Sequence, residues 1–370
     1  MDDLIELISI PSTADRPDDL RRALDLVLAL VGPGFDVRHF TSGGRPSALV
    51  ATPGRPRVIL NAHLDVVPGS PSQFKPEING HRLYGRGAHD MKAAAVVMAS
   101  VFRDVAPKLP YPIALQLVTD EEIGGFDGTG HQVAQGVRGD FVVIGEQSNL
   151  QVVAESKGIA RVRLTATGRT AHAAYPWLGA NALLTVMTAV QRLIDRYPVP
   201  ASEDWVTTVN VASVDTPNTA ANVVPHTAGA LLDIRFPPSD SDFAGRTRQQ
   251  VADHLRSVTG HAVRARVEAL GAPHWADPSS PELRLLQTAA QDAGYTGALL
   301  RKHGAADGRF YSAVGTDAVI FGPGGDGQHG PEEYVDLRTL GPYREALTSF
   351  LYALAGDGSG GQGVDVPAVQ

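Results

Sequence analysis

Three short apolar runs, residues 58–62, 113–118 and 141–145, each lead into side chains that can hold a metal. The first ends on His63-Leu64-Asp65, the second on Thr119-Asp120-Glu121-Glu122, the third on Glu146. Runs this short and this apolar read as buried strands. Helical spacing separates them, most clearly over residues 91–105 after Asp90, which is placed to cap that helix. Strands alternating with helices predict an α/β domain built on a mostly parallel sheet sandwiched by helices. Ligands bind such sheets outside the carboxyl ends of the strands. Three independent acid- or His-bearing segments fall at that kind of position.

The pattern is interrupted once. From about Lys157 the order becomes strand (159–166), helix (181–197), two strands (205–214 and 228–236), helix (242–259) and strand (263–269). That order predicts an inserted two-layer α+β domain over residues 157–270. Helices at 281–293, 308–314 and 339–355 and a strand at 318–321 then resume the α/β pattern. Residues 1–156 and 271–355 are thus expected to form one discontinuous catalytic domain. Residues 356–370 have linker composition and are expected to form a flexible tail.

Composition narrows the chemistry. The chain has 40 acidic against 32 basic residues, a formal charge of -8, which argues against nucleic acid or an anionic membrane as partner. It contains no cysteine, so thiolate metal sites, disulfides and Cys nucleophiles are excluded. Any metal must be held by His and carboxylates. The acidic N-terminal segment has no long apolar core, and no run reaches membrane-spanning length. A cytoplasmic location is expected.

Each candidate also has an ordinary reading in isolation: a surface His–Asp pair at His63 and Asp65, a helix cap at Asp90, a solvated turn at Glu121-Glu122, an exposed loop His at His329. Together His63, Asp90, Glu122, Glu146 and His329 form a set of two His and three carboxylates. With one carboxylate bridging, each of two metals receives one His and one further carboxylate. That set suits zinc, with cobalt or manganese as alternatives. Adjacent Glu121 and Glu122 can divide the work, one binding metal and the other carrying a proton.

The motifs NAHLDVVP, GRGAHDMK, TDEEIGG, GEQSN, GRTAHAAYP, ANVVP, DIRF, AADGRF and QHGPEE resemble, in order and over nearly the whole chain to about residue 355, the co-catalytic zinc peptidases and amidohydrolases. That family includes acetylornithine deacetylase, succinyl-diaminopimelate desuccinylase and glutamate carboxypeptidase. The resemblance implies that His63 and Glu146 hold one zinc, that Glu122 and His329 hold the other, and that Asp90 bridges both and precedes a cis peptide. It implies Glu121 as general base and Asp65 as the residue orienting His63. It also implies a lid and dimerisation role for the inserted domain. There His172 would stabilise an oxyanion, and Arg235 and Asn222 would hold substrate carboxylate or carbonyl groups. Arg309 is a further candidate for a substrate carboxylate.

The expected function is hydrolysis of the amide bond of an N-acyl amino acid or small peptide bearing a free carboxylate, by a homodimer. Glu146 matches the desuccinylase and carboxypeptidase pattern, whereas acetylornithine deacetylases usually carry Asp there. Ala305-Ala306 and Ala221 replace polar residues usual in desuccinylases, which removes two substrate contacts and argues against succinyl-diaminopimelate itself. Succinyl-diaminopimelate desuccinylase proper, a non-catalytic homologue and a two-metal phosphoesterase are the alternatives.

Overall fold

A computed structural model describes residues 1–356. The expected tail at 356–370 lies, from residue 357 on, outside the described residues. The chain forms two compact units. The first comprises Met1–Ala154, Trp275–Arg301 and residues 306–356, and the second comprises Glu155–His274 with Lys302–Ala305.

The first unit is built on a large mixed sheet. Its centre is four parallel strands in the order Ile113–Val118, Val58–His63, Phe141–Ile144 and Asp317–Ile320. The hairpin Asp36–Ser42/Arg45–Ala51 extends one side in antiparallel fashion. On the other side Val152–Ser156 is antiparallel to Asp317–Ile320. Both faces of the central strands are buried, which is why their sequences are apolar throughout rather than alternating. Val58, Leu60 and Ala62 pack into a core shared with the helices Pro17–Val31, Ala93–Val105, Pro281–Asp292 and Leu340–Gly356. Ile59 joins the opposite core with Val133 and Tyr311, from the short helices Thr129–Ala134 and Gly308–Ser312.

Register aligns the carboxyl ends of these strands. His63 pairs with Val118, and Ile144 pairs with both Asn61 and Ile320. Residues just beyond each strand therefore emerge side by side. A small antiparallel sheet of Glu77–Asn79, Arg82–Tyr84, Gly325–Asp326 and Tyr334–Asp336 has no signal in the periodicity, because its strands are two or three residues long.

Asp90 does not cap a helix. It sits in a π-helical turn, Ala88–Lys92, at φ -119 and ψ 94, and the regular helix starts at Ala93. Its carboxylate is turned away from the helix N–H groups, toward His63 and Gln328. The Asp90–Met91 peptide is cis.

The second unit is an antiparallel sheet in the order Thr208–Asp215, Thr227–Phe236, Gly158–Thr167 and Arg264–Gly271. Gly158–Thr167 buries alternate residues, the signature of a sheet with one covered face. The helices Ala182–Arg196 and Arg248–Thr259 contribute Val186, Leu193, Val251 and Leu255 to that face. The second helix is shorter than expected, because Thr247 and Gln250 form a capping box that sets its start.

Candidate metal centre

The aligned strand ends bring the first unit's candidates together. His63 Nε2 lies 2.9 Å from Asp90 Oδ1, and His329 Nε2 lies 3.3 Å from Asp90 Oδ2 and 3.1 Å from Glu122 Oε2. One Asp90 carboxylate thus presents an oxygen to each imidazole. Donor atoms of His63, Asp90 and Glu122 lie within 4.8 Å of one another, as do those of His63, Glu121 and Glu146. His63, Asp90 and Glu146 are buried. His329 is exposed and has φ 60, left-handed backbone uncommon outside glycine.

Asp65 has two partners besides His63. His63 Nδ1 is 3.0 Å from the Asp65 carbonyl and 3.5 Å from its Oδ1. The Asp65 carboxylate itself accepts the backbone N–H of Glu121 at 3.2 Å and of Glu122 at 3.0 Å. It braces the acidic turn as well as the imidazole.

Glu333, Arg86 and Gln328 are not among the residues that the sequence singles out. Glu333 Oε1 accepts the backbone N–H of His89 and Asp90, both at 3.1 Å, while its Oε2 accepts Arg86 Nη1 at 2.5 Å. Arg86 also donates to the His329 carbonyl at 3.1 Å, and Gln328 Nε2 donates to Asp90 Oδ2 at 2.5 Å. The available signal was position: Arg86 and Glu333 lie in the quoted segments GRGAHDMK and QHGPEE.

Electrostatics follow from crowding four carboxylates around two imidazoles. Burial of its carboxyl group, then the Glu146 charge, raises Glu121 well above the usual carboxylate range, with His63 opposing. Burial also raises Glu122, against the hydrogen bond from His329. Burial pushes His63 down, but hydrogen bonds with Asp65 and Asp90 outweigh it and leave it well above its ordinary value. Hydrogen bonds with Asp90 and Glu122 raise His329 to about 10.

These residues fit a divalent metal. Two donors on one tetrahedral zinc lie about 3.3 Å apart, close to the observed separations of 2.9, 3.1 and 3.3 Å. Four carboxylates against two His also leave an excess of negative charge for a cation to balance.

The second unit's candidates are placed separately. His172 is exposed and its Nδ1 accepts the Ala174 N–H at 3.1 Å. The Asn222 carbonyl accepts the Ala173 N–H at 2.9 Å, so His172 and Asn222 stand on adjoining segments. Arg235 forms a fork with Asp233, at 2.6 Å and 3.3 Å. In the first unit Arg309 is 8% exposed and donates to the Gly124 carbonyl at 2.5 Å.

The chain matches the model of "Peptidase family M20/M25/M40" over residues 59–353. It is 30% identical to a succinyl-diaminopimelate desuccinylase of Bordetella pertussis, over 94% of this chain and 97% of that one. It is 31% identical to one of Gluconacetobacter diazotrophicus, over 95% and 96%. Its fold is similar to that of a Staphylococcus aureus tripeptidase, with a TM-score of 0.79 at 20% identity, covering 96% and 97% of the two chains. It is also similar to an M20 family metallo-carboxypeptidase of Sulfolobus solfataricus, at 0.75 and 18%, covering 95% and 98%. The convergence of His and carboxylate donors at one sheet edge gains its meaning from that match: the chain belongs to peptidase family M20/M25/M40 and is a metal-dependent hydrolase of amide bonds.

Proposed function

We propose that the protein uses two divalent ions, zinc in the first instance, to hydrolyse the amide bond of an N-acyl amino acid or small peptide with a free carboxylate. The observation that carries this reading is the Asp90 carboxylate, with one oxygen on His63 and the other on His329. His63 and Glu146 would hold one ion, Glu122 and His329 the other, with Asp90 shared. When bound, such a pair supplies Lewis-acid polarisation of the scissile carbonyl and acidifies the attacking water.

The chain's own residues do the rest. Glu121, raised by burial and by the Glu146 charge, takes the proton from the attacking water. It then returns that proton to the amine nitrogen as the C–N bond breaks. Asp65 holds Glu121 through its backbone N–H and steadies His63. In the second unit, proposed as lid and dimerisation domain, His172 donates to the oxyanion while Arg235 and Asn222 receive the substrate's carboxylate or carbonyl. Releasing the Arg235 fork from Asp233 would present it to a carboxylate in the same planar geometry. The homodimer and a cytoplasmic location are part of the proposal; sedimentation and cell fractionation test them.

Relatives are named for succinyl-diaminopimelate, yet Ala221, Ala305 and Ala306 offer no side-chain polar atom. A substrate with fewer polar atoms is favoured. The test is to strip the protein with chelator and restore zinc, cobalt or manganese. It is then assayed on N-succinyl, N-acetyl, N-formyl and N-carbamoyl amino acids, succinyl-diaminopimelate and dipeptides. Two metals per chain with metal-restored hydrolysis is the expected result. Failure to bind metal would remove the basis of the proposal.

A further inference from the structure

The turn that carries Glu121 and Glu122 ends in two glycines. Gly124 has φ +117 and Gly125 has φ +64, left-handed conformations that favour glycine. Two such residues in succession make the chain soft just after the proposed base, unless something outside the turn holds it. At the start of the turn Asp65 does so, through the N–H groups of Glu121 and Glu122. At its end the contacts come from the segment Asp307–Tyr311.

Arg309 Nη2 donates to the Gly124 carbonyl at 2.5 Å. Its guanidinium lies 5.6 Å from the Phe126 ring centroid and 4.8 Å from that of Phe310. Phe126 and Phe310 meet edge to face, their centroids 5.5 Å apart. The Asp307 carboxylate is buried and packed so closely on Gly125 that a Cβ there would overlap it. The same short helix is anchored below: the Tyr311 hydroxyl donates to Gln116 Oε1, and Asn61 Nδ2 donates to both Gln116 Oε1 and the Tyr311 hydroxyl. Gln116 belongs to Ile113–Val118, the strand from which the acidic turn emerges. The helix Gly308–Ser312 therefore ties the strand before the turn to the glycines after it.

We propose that Arg309 is a positioning residue that fixes the Glu121–Glu122 turn, acting through Gly124 and Phe126 rather than by gripping a substrate carboxylate. The proposal rests on Glu121 being the general base. Its cause is geometric. An ångström of misplacement in a catalytic group costs on the order of a hundredfold in rate. A turn ending in two glycines needs a tether to avoid that. At 8% exposure the guanidinium is largely covered, with Nη2 on a carbonyl, two rings beside it and Nε buried without a hydrogen-bond partner among the described residues.

The experiment compares metal-loaded wild type, Arg309→Met, Arg309→Lys and Phe126→Ala. Hydrogen–deuterium exchange is read over residues 121–130, and kcat and KM are measured on an N-acyl amino acid and on its carboxamide. Arg309→Met is expected to exchange faster there and to lose about 10- to 100-fold in kcat on both substrates. KM should stay within about threefold, with partial recovery in Arg309→Lys and a smaller loss in the same direction in Phe126→Ala. A loss confined to the carboxylate substrate overturns the proposal in favour of a substrate contact. Unchanged exchange, or faster exchange with unaltered kcat, also overturns it. Phe126 is 57% exposed, so Phe126→Ala decides the matter if Arg309→Met does not fold. If wild type hydrolyses neither compound, the proposed substrate class fails, and exchange alone still decides whether the tether exists.

Discussion

Asp65 and Glu122 are 57 positions apart in the chain and are joined by a 3.0 Å hydrogen bond from the Glu122 N–H to Asp65 Oδ2. The other Asp65 oxygen accepts the Glu121 N–H. The residue next to one imidazole thereby also sets the backbone of both acidic residues. Replacing Asp65 with Ala should lower kcat by about 10- to 100-fold, as loss of a partner that orients metal ligands does. Asp65→Asn should recover part of it, since one oxygen acceptor remains. Steady-state kinetics with metal content measured on the same samples checks this.

Glu121→Gln keeps size and removes the base. Turnover should fall by at least 100-fold, the lower range for general-base catalysis, while metal content stays near that of wild type. Elemental analysis beside the activity assay distinguishes this from loss of a ligand. Near-normal turnover would sink the assignment of Glu121.

Glu333 supports Asp90 from behind. Its carboxylate is almost fully buried against Arg86 and accepts the Asp90 N–H. Glu333→Ala leaves the Arg86 charge buried without its partner, which costs about 3–5 kcal/mol. Denaturant unfolding should show a loss of that order, together with weaker metal retention during dialysis.

Asp307 links pH to stability. Burial raises its carboxyl group to about 7, with Arg309 opposing. A carboxyl group whose folded value lies above its unfolded value favours folding through its protonated form. The contribution is complete below about pH 4, the unfolded value, and is lost as pH rises toward about 7. Asp307→Asn has no such titration. Its stability relative to wild type should therefore rise between pH 4 and pH 8, measured by unfolding at several pH values. A constant difference would show that Asp307 does not titrate in this window.

Much of this site could be read from local pattern. The apolar runs 58–62, 113–118 and 141–145 predict a parallel sheet, and the parallel register places their ends together. Asp90 is not the helix cap its position predicts, because Asp before a helical run looks the same whether its carboxylate faces the helix or the site. The small sheet formed by Glu77–Asn79 and its neighbours was not legible at all, since three-residue strands leave no periodicity to detect. Glu333 stood within a quoted motif, yet nothing local distinguished it from the exposed Glu332 beside it.

The sequence by itself determined the kind of sheet, the residue types at its carboxyl edge and the absence of any thiol chemistry. These follow from burial and periodicity, which act over a few residues at a time. Only the tertiary structure decided which atoms meet: Asp90 between His63 and His329, Asp65 on the Glu121–Glu122 backbone, Glu333 behind Asp90, Arg309 on Gly124. Those pairings span tens to hundreds of residues. They are chosen by how the strands register and by where a buried polar group can find a partner, and neither is encoded within any one segment.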